Sequence, residues 1–362
     1  MVLKILQHIR YQQLNHGHEF ETGGFPNYRI YQPRGIPKAD NNSFFTSVIL
    51  LTLRDNYPEL PVSAQLIADS IFSSALPSYN AFRNQKGRGT YNFWSTNPPK
   101  IFPEGGILNL FDKSKALPDD MDCTSTALWA LNVPDSTNQR IKKLMQLYTN
   151  RPGKELLNTF PEIAGYAAYS TWFGVKVPVE FDVVVMCNVL SWTGRAGLKL
   201  TAADTATIHL LTRVIKDRLY LKDPFKASPN YATVPIILYH YSRMMEKIKI
   251  PELEALKPEM IKEAKSQFYS SASTVEKILI STTLKRWGVE PPEPIILNES
   301  TFIEDIANDP FVFFLANMGL AYPDGWLNKL ATSKFGRFDY FCPAYNLTLL
   351  LENLLTEMNS GK

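Results

Sequence analysis

The residues of this sequence best suited to chemistry are Asp119, Asp120 and Asp122, three carboxylates within four positions of the segment LPDDMDCTSTALWAL. They stand directly before an apolar run of helical length. One Asp is enough to cap a helix. Three so close repel one another, and in a dry site at least one carboxyl would be held protonated. A carboxyl that keeps its proton at neutral pH can serve as a general acid. Two other readings stand beside that one: a carboxylate pair that binds Mg²⁺, and an acidic, solvated loop that ends in a cap.

The same arrangement recurs along the chain. DNNSFFTSVILL from Asp40, EFDVVVMCNVL from Glu180, SPNYATVPIILYHYSR from Ser228 and NDPFVFFLANMGL from Asn308 each put polar residues before an apolar stretch. Taken singly, each cluster reads as an N-cap. These stretches are apolar nearly all round, which marks buried helices. The segments between them, with QRIKKLMQL and TRVIKDRL, are amphipathic. Alternation of buried and half-exposed helices is the pattern of two concentric rings. If every inner helix is followed by an outer one, all inner helices run the same way. Their N-termini then converge on one mouth, where free N–H groups and helix dipoles suit an anion or a set of carboxylates.

The expected fold is therefore all-α, concentric inner and outer helices in a single domain over residues 1–362. The pattern predicts helices over Ser43–Asp55, Ser63–Ser74, Cys123–Leu131, Thr137–Tyr148, Pro161–Trp172, Val183–Trp192, Ala202–Tyr220, Tyr231–Lys247, Lys257–Tyr269, Ser273–Trp287, Phe311–Leu320 and Tyr345–Met358. Val183–Cys187 could be a strand on propensity alone, but no second convincing strand offers it a partner. The Pro- and Gly-rich connectors Tyr31–Lys38, Asn97–Gly106 and Val289–Pro294 are too short to be interdomain linkers.

DDMDCTSTALWAL resembles the acidic motif of class II terpene cyclases, the DxDD or DxDT[TA] type of squalene–hopene, copalyl-diphosphate and drimenyl-diphosphate cyclases. The resemblance implies the toroid fold over nearly the whole chain. It also implies that Asp122, the middle Asp, protonates a terminal alkene or epoxide, with Asp120, the first, holding it in place. Cys123 departs from the pattern, since the family carries Asp or Thr there. The DDxxD motif of class I terpene synthases is absent.

Cyclising a polyprene takes a strong acid in a water-poor cavity, aromatic faces that steady carbocations, and a base or water that ends the reaction. Aromatic residues make up 12% of the chain, enough to supply either core packing or such a cavity. Candidate wall residues are Tyr91, Phe93 and Trp94 in TYNFWS, Tyr169 and Trp172 in YAAYSTWF, Tyr241 in YHYSR and Tyr340 in FDYFCPAY. Asp119 and Asp182 are further candidates for the substrate site. A diphosphate needs basic partners. Arg83, Lys86 and Arg88 in FRNQKGRGT, and Arg243, are available, and Mg²⁺ bound to the diphosphate is the expected ion. No residue is assigned as a protein metal ligand.

The rest of the composition excludes more than it indicates. A net charge of +3, from 38 basic and 35 acidic residues, leaves no nucleic-acid footprint. Cys123, Cys187 and Cys342 lie far apart, with no CxxC pair, which points away from disulfides and structural zinc and towards a reducing compartment. MVLKILQHIRYQQ lacks the run of a secretory signal, and no stretch has the length of a membrane span. The expectation is a cytoplasmic enzyme of the isomerase or lyase type that acts on a small isoprenoid, sesquiterpenyl in size because one domain offers one modest cavity. A separate phosphatase would follow it. Two rival readings remain open. One is a carbohydrate-active toroid pairing Asp122 with Asp40, Asp182 or Asp309. The other is a toroid that binds without catalysis.

Overall fold

A computed structural model describes residues 1–100, 117–174, 177–316 and 325–360 of the chain. In chain order its helices are α1 (Val2–Leu14), α2 (Ser43–Asp55), α3 (Val62–Ala75), α4 (Met121–Leu131), α5 (Asp135–Met145), α6 (Val183–Arg195), α7 (Ala202–Lys216), α8 (Leu219–Lys222), α9 (Pro224–Ala227), α10 (Val234–Lys247), α11 (Pro251–Ser270), α12 (Thr274–Arg286), α13 (Phe302–Ala307), α14 (Gly325–Thr332) and α15 (Pro343–Ser360). No helix among the described residues is long and apolar enough to cross a membrane.

The helix starts behave as their sequences require. Asn42, Asp120 and Asp182 sit in extended backbone and accept hydrogen bonds from the first amides of α2, α4 and α6. Asp309 does this from a distance: its carboxylate accepts from the amides of Thr274 and Val275 and from the Ser273 hydroxyl, at the start of α12.

Burial divides the helices into two kinds. Ser43–Leu53, Met121–Ala130, Val183–Thr193 and Pro235–Met245 are buried at every position. In α1, α3 and α11, burial falls on a single stripe, as in Ile5, Leu6, Ile9 and Gln13 of α1. The inner helices pack in a closed cycle: α2 on α4, α4 on α6, α6 on α10, α10 on α12, α12 on α15, and α15 back on α2.

Contacts at the two ends show that these helices share a direction. At the C-terminal end, Asp55 of α2 accepts from the Trp129 indole of α4 at 3.0 Å and pairs with Lys247 of α10 at 2.9 Å and Arg195 of α6 at 3.4 Å. Arg286 of α12 pairs with Glu246 of α10 and Glu352 of α15.

The all-α expectation needs correction, since a small antiparallel sheet is present. Strands β1 (Tyr28–Tyr31), β2 (Pro37–Ala39), β3 (Phe314–Ala316) and β4 (Phe338–Phe341) lie in the order β2-β1-β4-β3. Tyr28 faces Phe341 across β1 and β4, and Leu315 faces Asp339 across β3 and β4. Short aromatic-rich runs such as YRIY and FDYF suit a pleated surface. The sheet ties the segment before α2 to the segments around α15.

Two expected helices give way to turns and extended chain, and in their extended parts tertiary partners take the backbone groups. In Pro161–Trp172, the amide of Asn150 donates to Ala168, that of Ser170 to Tyr148 and that of Met121 to Thr171. In Phe311–Leu320, the described part forms β3, with the Leu315 amide on Asn230; residues 317–320 lie outside the described residues, as do 101–106 of the connector Asn97–Gly106. Val183–Cys187, a strand by propensity, is helix once Asp182 caps it. Helix α1 was not anticipated.

The buried Arg286–Glu352 pair supplies a test of the C-terminal closure, since its side chains are only 6% and 3% exposed. Arg286→Ala leaves a buried carboxylate without its cation and should lower unfolding free energy by about 3–5 kcal/mol in denaturant titration. Arg286→Met with Glu352→Leu should recover most of that loss.

Candidate functional site

At the N-terminal end of the cycle, the chain before each inner helix folds over the helix start and builds a cavity. The 90s segment is pinned at several points. The Ser43 amide donates to Phe93 at 3.0 Å, the Tyr91 amide donates to the Thr124 hydroxyl at 3.0 Å, and the Trp94 indole donates to Asp40 at 2.7 Å. Asp40 is buried and also pairs with Arg29 and Lys100, so its charge is met on several sides. Trp172 is brought in by the extended 168–173 chain, and its indole donates to Glu180 at 3.2 Å.

The resulting cavity is lined by Phe44, Phe93, Trp94, Leu117, Thr171, Trp172, Val185, Asn230, Phe314 and Ala316, with Asp120, Asp122 and Cys123 at the start of α4. Its free space is about 40 Å³, enough for one or two waters. Phe93 and Phe314 stack at 5.2 Å between centroids, and Tyr340 packs edge-on against both from behind.

The two aspartates of α4 are held differently. Asp120 Oδ1 accepts from the Cys123 amide at 2.6 Å, while Oδ2 is buried without a partner. Asp122 Oδ1 accepts from the Asn188 amide at 2.6 Å, and Oδ2 accepts from the Tyr231 hydroxyl. Behind Asn188, the buried Arg243 guanidinium donates to its Oδ1 at 2.6 Å. Burial pushes Asp122 up to about 6, with the Tyr231 and Asn188 hydrogen bonds pulling back. Burial, then the charge of Asp122, holds Asp120 well above the ordinary carboxylate range. Asp182 is raised by burial and restrained by Ser228, by the Asn230 amide and by its own helix amides.

Of the residues singled out from sequence, Asp120, Asp122, Phe93, Trp94 and Trp172 meet in this cavity. Tyr340 stands one layer behind. Asp182 caps α6 and holds Asn230, a lining residue, by its amide at 2.9 Å. Arg243 stands behind Asp122 rather than at a mouth. Tyr91 is buried against Tyr79, Tyr169 donates to Asp204 at 3.0 Å, and Tyr241 donates to the Leu211 carbonyl at 3.0 Å; none of the three lines the cavity.

Asp119 faces a second, polar chamber of about 270 Å³ with Asn84, Lys86, Arg88, Asn92 and Lys100, and Leu117 is common to both spaces. There Asp119 Oδ2 accepts from Asn84 at 2.6 Å, from Arg88 at 2.9 Å and from the Thr90 hydroxyl.

Sequence reasoning did not single out Tyr231, Glu180, Asn230, Thr171, Phe44 or Phe314. Asn188 stands in EFDVVVMCNVL with no role assigned to it from sequence. The available signal was the lone amide of Asn188 in an apolar helix, since a buried amide needs partners. Among the described residues no group of three or more His, Cys, Asp or Glu could hold a metal ion. The chain matches no protein-family model, no curated protein and no solved structure.

Glu180 offers a stability test. It is buried, and burial and then Asp182 push its carboxyl up to about 8 from an ordinary 4.5. The folded state thus binds a proton that the unfolded chain releases between pH 4.5 and about 8. Stability contributed by the neutral form is full below the lower value and declines as pH rises through the upper one. Glu180→Gln should therefore match wild type in melting temperature at pH 4 and exceed it at pH 9; equal pH slopes would refute the buried, neutral carboxyl.

Proposed function

We propose that the chain is a class II terpene cyclase-like enzyme on an (α/α)6 toroid, in which the Asp120–Asp122 carboxyl pair protonates the terminal double bond of a prenyl diphosphate. The observation that carries this reading is two buried carboxyls with raised proton affinity in an otherwise apolar, aromatic cavity. Such surroundings keep a carboxyl loaded with its proton at neutral pH. Aromatic faces can steady the cation that proton transfer creates. Support for the toroid comes from the closed cycle of inner helices, their shared direction and the half-buried helices between them.

By resemblance the acid is Asp122 and Asp120 its partner. Cys123, where the family has Asp or Thr, is buried beside Asp120 and Ser43. The polar chamber suits a diphosphate, with Lys86, Arg88 and Lys100 close to the acid cavity. Its one lining carboxylate, Asp119, is already engaged by three donors, so these residues do not make a resident Mg²⁺ site, and any such ion arrives with the diphosphate. A sesquiterpenyl chain needs several hundred Å³, more than the free 40 Å³. On this reading the Phe93, Trp94 and Phe314 wall moves aside as substrate enters.

The carbohydrate reading pairs Asp122 with Asp40, Asp182 or Asp309. Those three are each occupied by several donors and none lines the cavity, and the second carboxyl that does, Asp120, sits with Asp122 in a mainly apolar, aromatic wall, which favours the hydrocarbon reading.

The test is incubation of purified protein with farnesyl and geranylgeranyl diphosphates and Mg²⁺, then phosphatase treatment and mass spectrometry. Wild type should yield a cyclic alcohol, and Asp122→Asn should reduce turnover by about 10²–10⁴-fold, the usual worth of a general acid. With neither substrate converted, the function is wrong and a non-catalytic toroid or a carbohydrate substrate becomes the next reading. Lys86→Ala and Lys100→Ala should each raise KM about tenfold, roughly 1.4 kcal/mol, with kcat kept, if the polar chamber binds the diphosphate. An unchanged KM would place the head group elsewhere.

A further inference from the structure

We infer that the transferable proton resides on Oδ2 of Asp120, with Asp122 as its ionised partner, the reverse of the roles that the motif resemblance implies. The inference rests on the acid-initiated reading above. It begins from the hydrogen bonds each carboxyl receives.

Asp122 is surrounded as a carboxylate is. The Asn188 side chain gives its N–H to Oδ1 and its carbonyl oxygen to Arg243, so its orientation is set by the guanidinium. Tyr231 hydroxyl has Asp122 as its hydrogen-bond partner, and so spends its proton on Oδ2. Both oxygens of Asp122 therefore accept. Donors of this kind favour the charged form.

Asp120 is the opposite case. Its Oδ1 is committed to the Cys123 amide, and its Oδ2, buried in a residue only 4% exposed, meets no donor at all. An unpartnered carboxylate oxygen in an apolar wall is costly, and a proton on that oxygen removes the charge. Among the charged and titratable groups around the pair, Asp122 and Asp119 oppose a charge on Asp120 and the Cys123 side chain favours it, while Asp182 opposes a charge on Asp122 and Arg243, which reaches it through Asn188, favours it. Asp120 also lines the cavity, as Asp122 does.

The transfer balances without a co-reactant. The O–H bond of Asp120 breaks, its electron pair stays on Oδ2, and the alkene π pair forms the new C–H bond. The cation left in the substrate then faces two carboxylates. When the cyclised cation loses a proton and its C–H pair becomes a new double bond, that proton restores Asp120 directly or through water. Asp122 acts as the fixed anion that opposes the cation, and neither gains nor loses a proton.

Infrared spectroscopy of protein carrying isotope-labelled aspartate, without substrate and at neutral pH, reads the protonated carboxyl directly and excludes Glu180. Wild type and Asp122→Asn should show the labelled band of a protonated carboxyl, and Asp120→Asn should lack it. A band that persists in Asp120→Asn and vanishes in Asp122→Asn overturns the assignment, as does loss in both variants or absence from wild type. Asn caps helices as well as Asp does, and Asp120→Ser, another capping residue, repeats the test should Asp120→Asn melt early. Because the readout needs no turnover, an inactive protein with the expected bands would sink the cyclase reading and leave the proton on Asp120.

Discussion

The burial of carboxyl groups without contact ion pairs is the constraint on which the rest of this structure turns. Asp120, Asp122, Glu180 and Asp182 are all buried at the same end of the inner helices. Among the described residues no Lys or Arg lies within ion-pair distance of any of them. A buried charge that lacks a counter-ion must be hydrogen-bonded or neutralised. Asp182 takes the first course, with amides of α6, the Asn230 amide and the Ser228 hydroxyl around it. Glu180 and Asp120 take the second. Asp122 stands between, with two donors and a guanidinium one side chain away.

The opposite end of the same helices solves the problem conventionally. Asp55, Glu246 and Glu352 each have a cation, drawn from Arg195, Lys247 and Arg286. Basic residues in the last turns also meet the helix dipoles. The contrast assigns work to the two ends. The paired end holds the inner helices together, and at the other end these four buried carboxyls are met by hydrogen bonds or by a proton. Proton affinity raised by burial is a stability cost that structure elsewhere must offset, which is why such groups concentrate where chemistry is done.

The loops before the inner helices carry out that second task. Two are anchored by backbone to the start of the preceding inner helix, Phe93 to Ser43 and Thr171 to Met121, and a third holds β3 through Asn230 and Leu315. Those anchors place Trp94, Trp172 and Phe314 around the acids and fix the indoles through Asp40 and Glu180. The aromatic wall is thus a consequence of main-chain pairing more than of side-chain affinity.

Elements whose information is local are legible in the residues alone. Asn42, Asp120 and Asp182 before apolar runs specify capped, buried helices, because a cap and its amide lie within three residues of each other. The crowding of Asp120 and Asp122 was equally readable. Features that depend on distant partners were settled only on folding. Pro161–Trp172 reads as a helix, yet Asn150, Tyr148 and Met121 claim its backbone groups and leave it extended. FDYF became a strand because YRIY, some three hundred residues earlier, lies alongside it. Asn188 and Tyr231 became the partners of Asp122 across separations of 66 and 109 residues. Tyr169 and Tyr241 are as aromatic as Trp94, but their hydroxyls found Asp204 and Leu211, and they left the cavity. Residue type states what a side chain can do; the partners it meets on folding decide which proton it keeps.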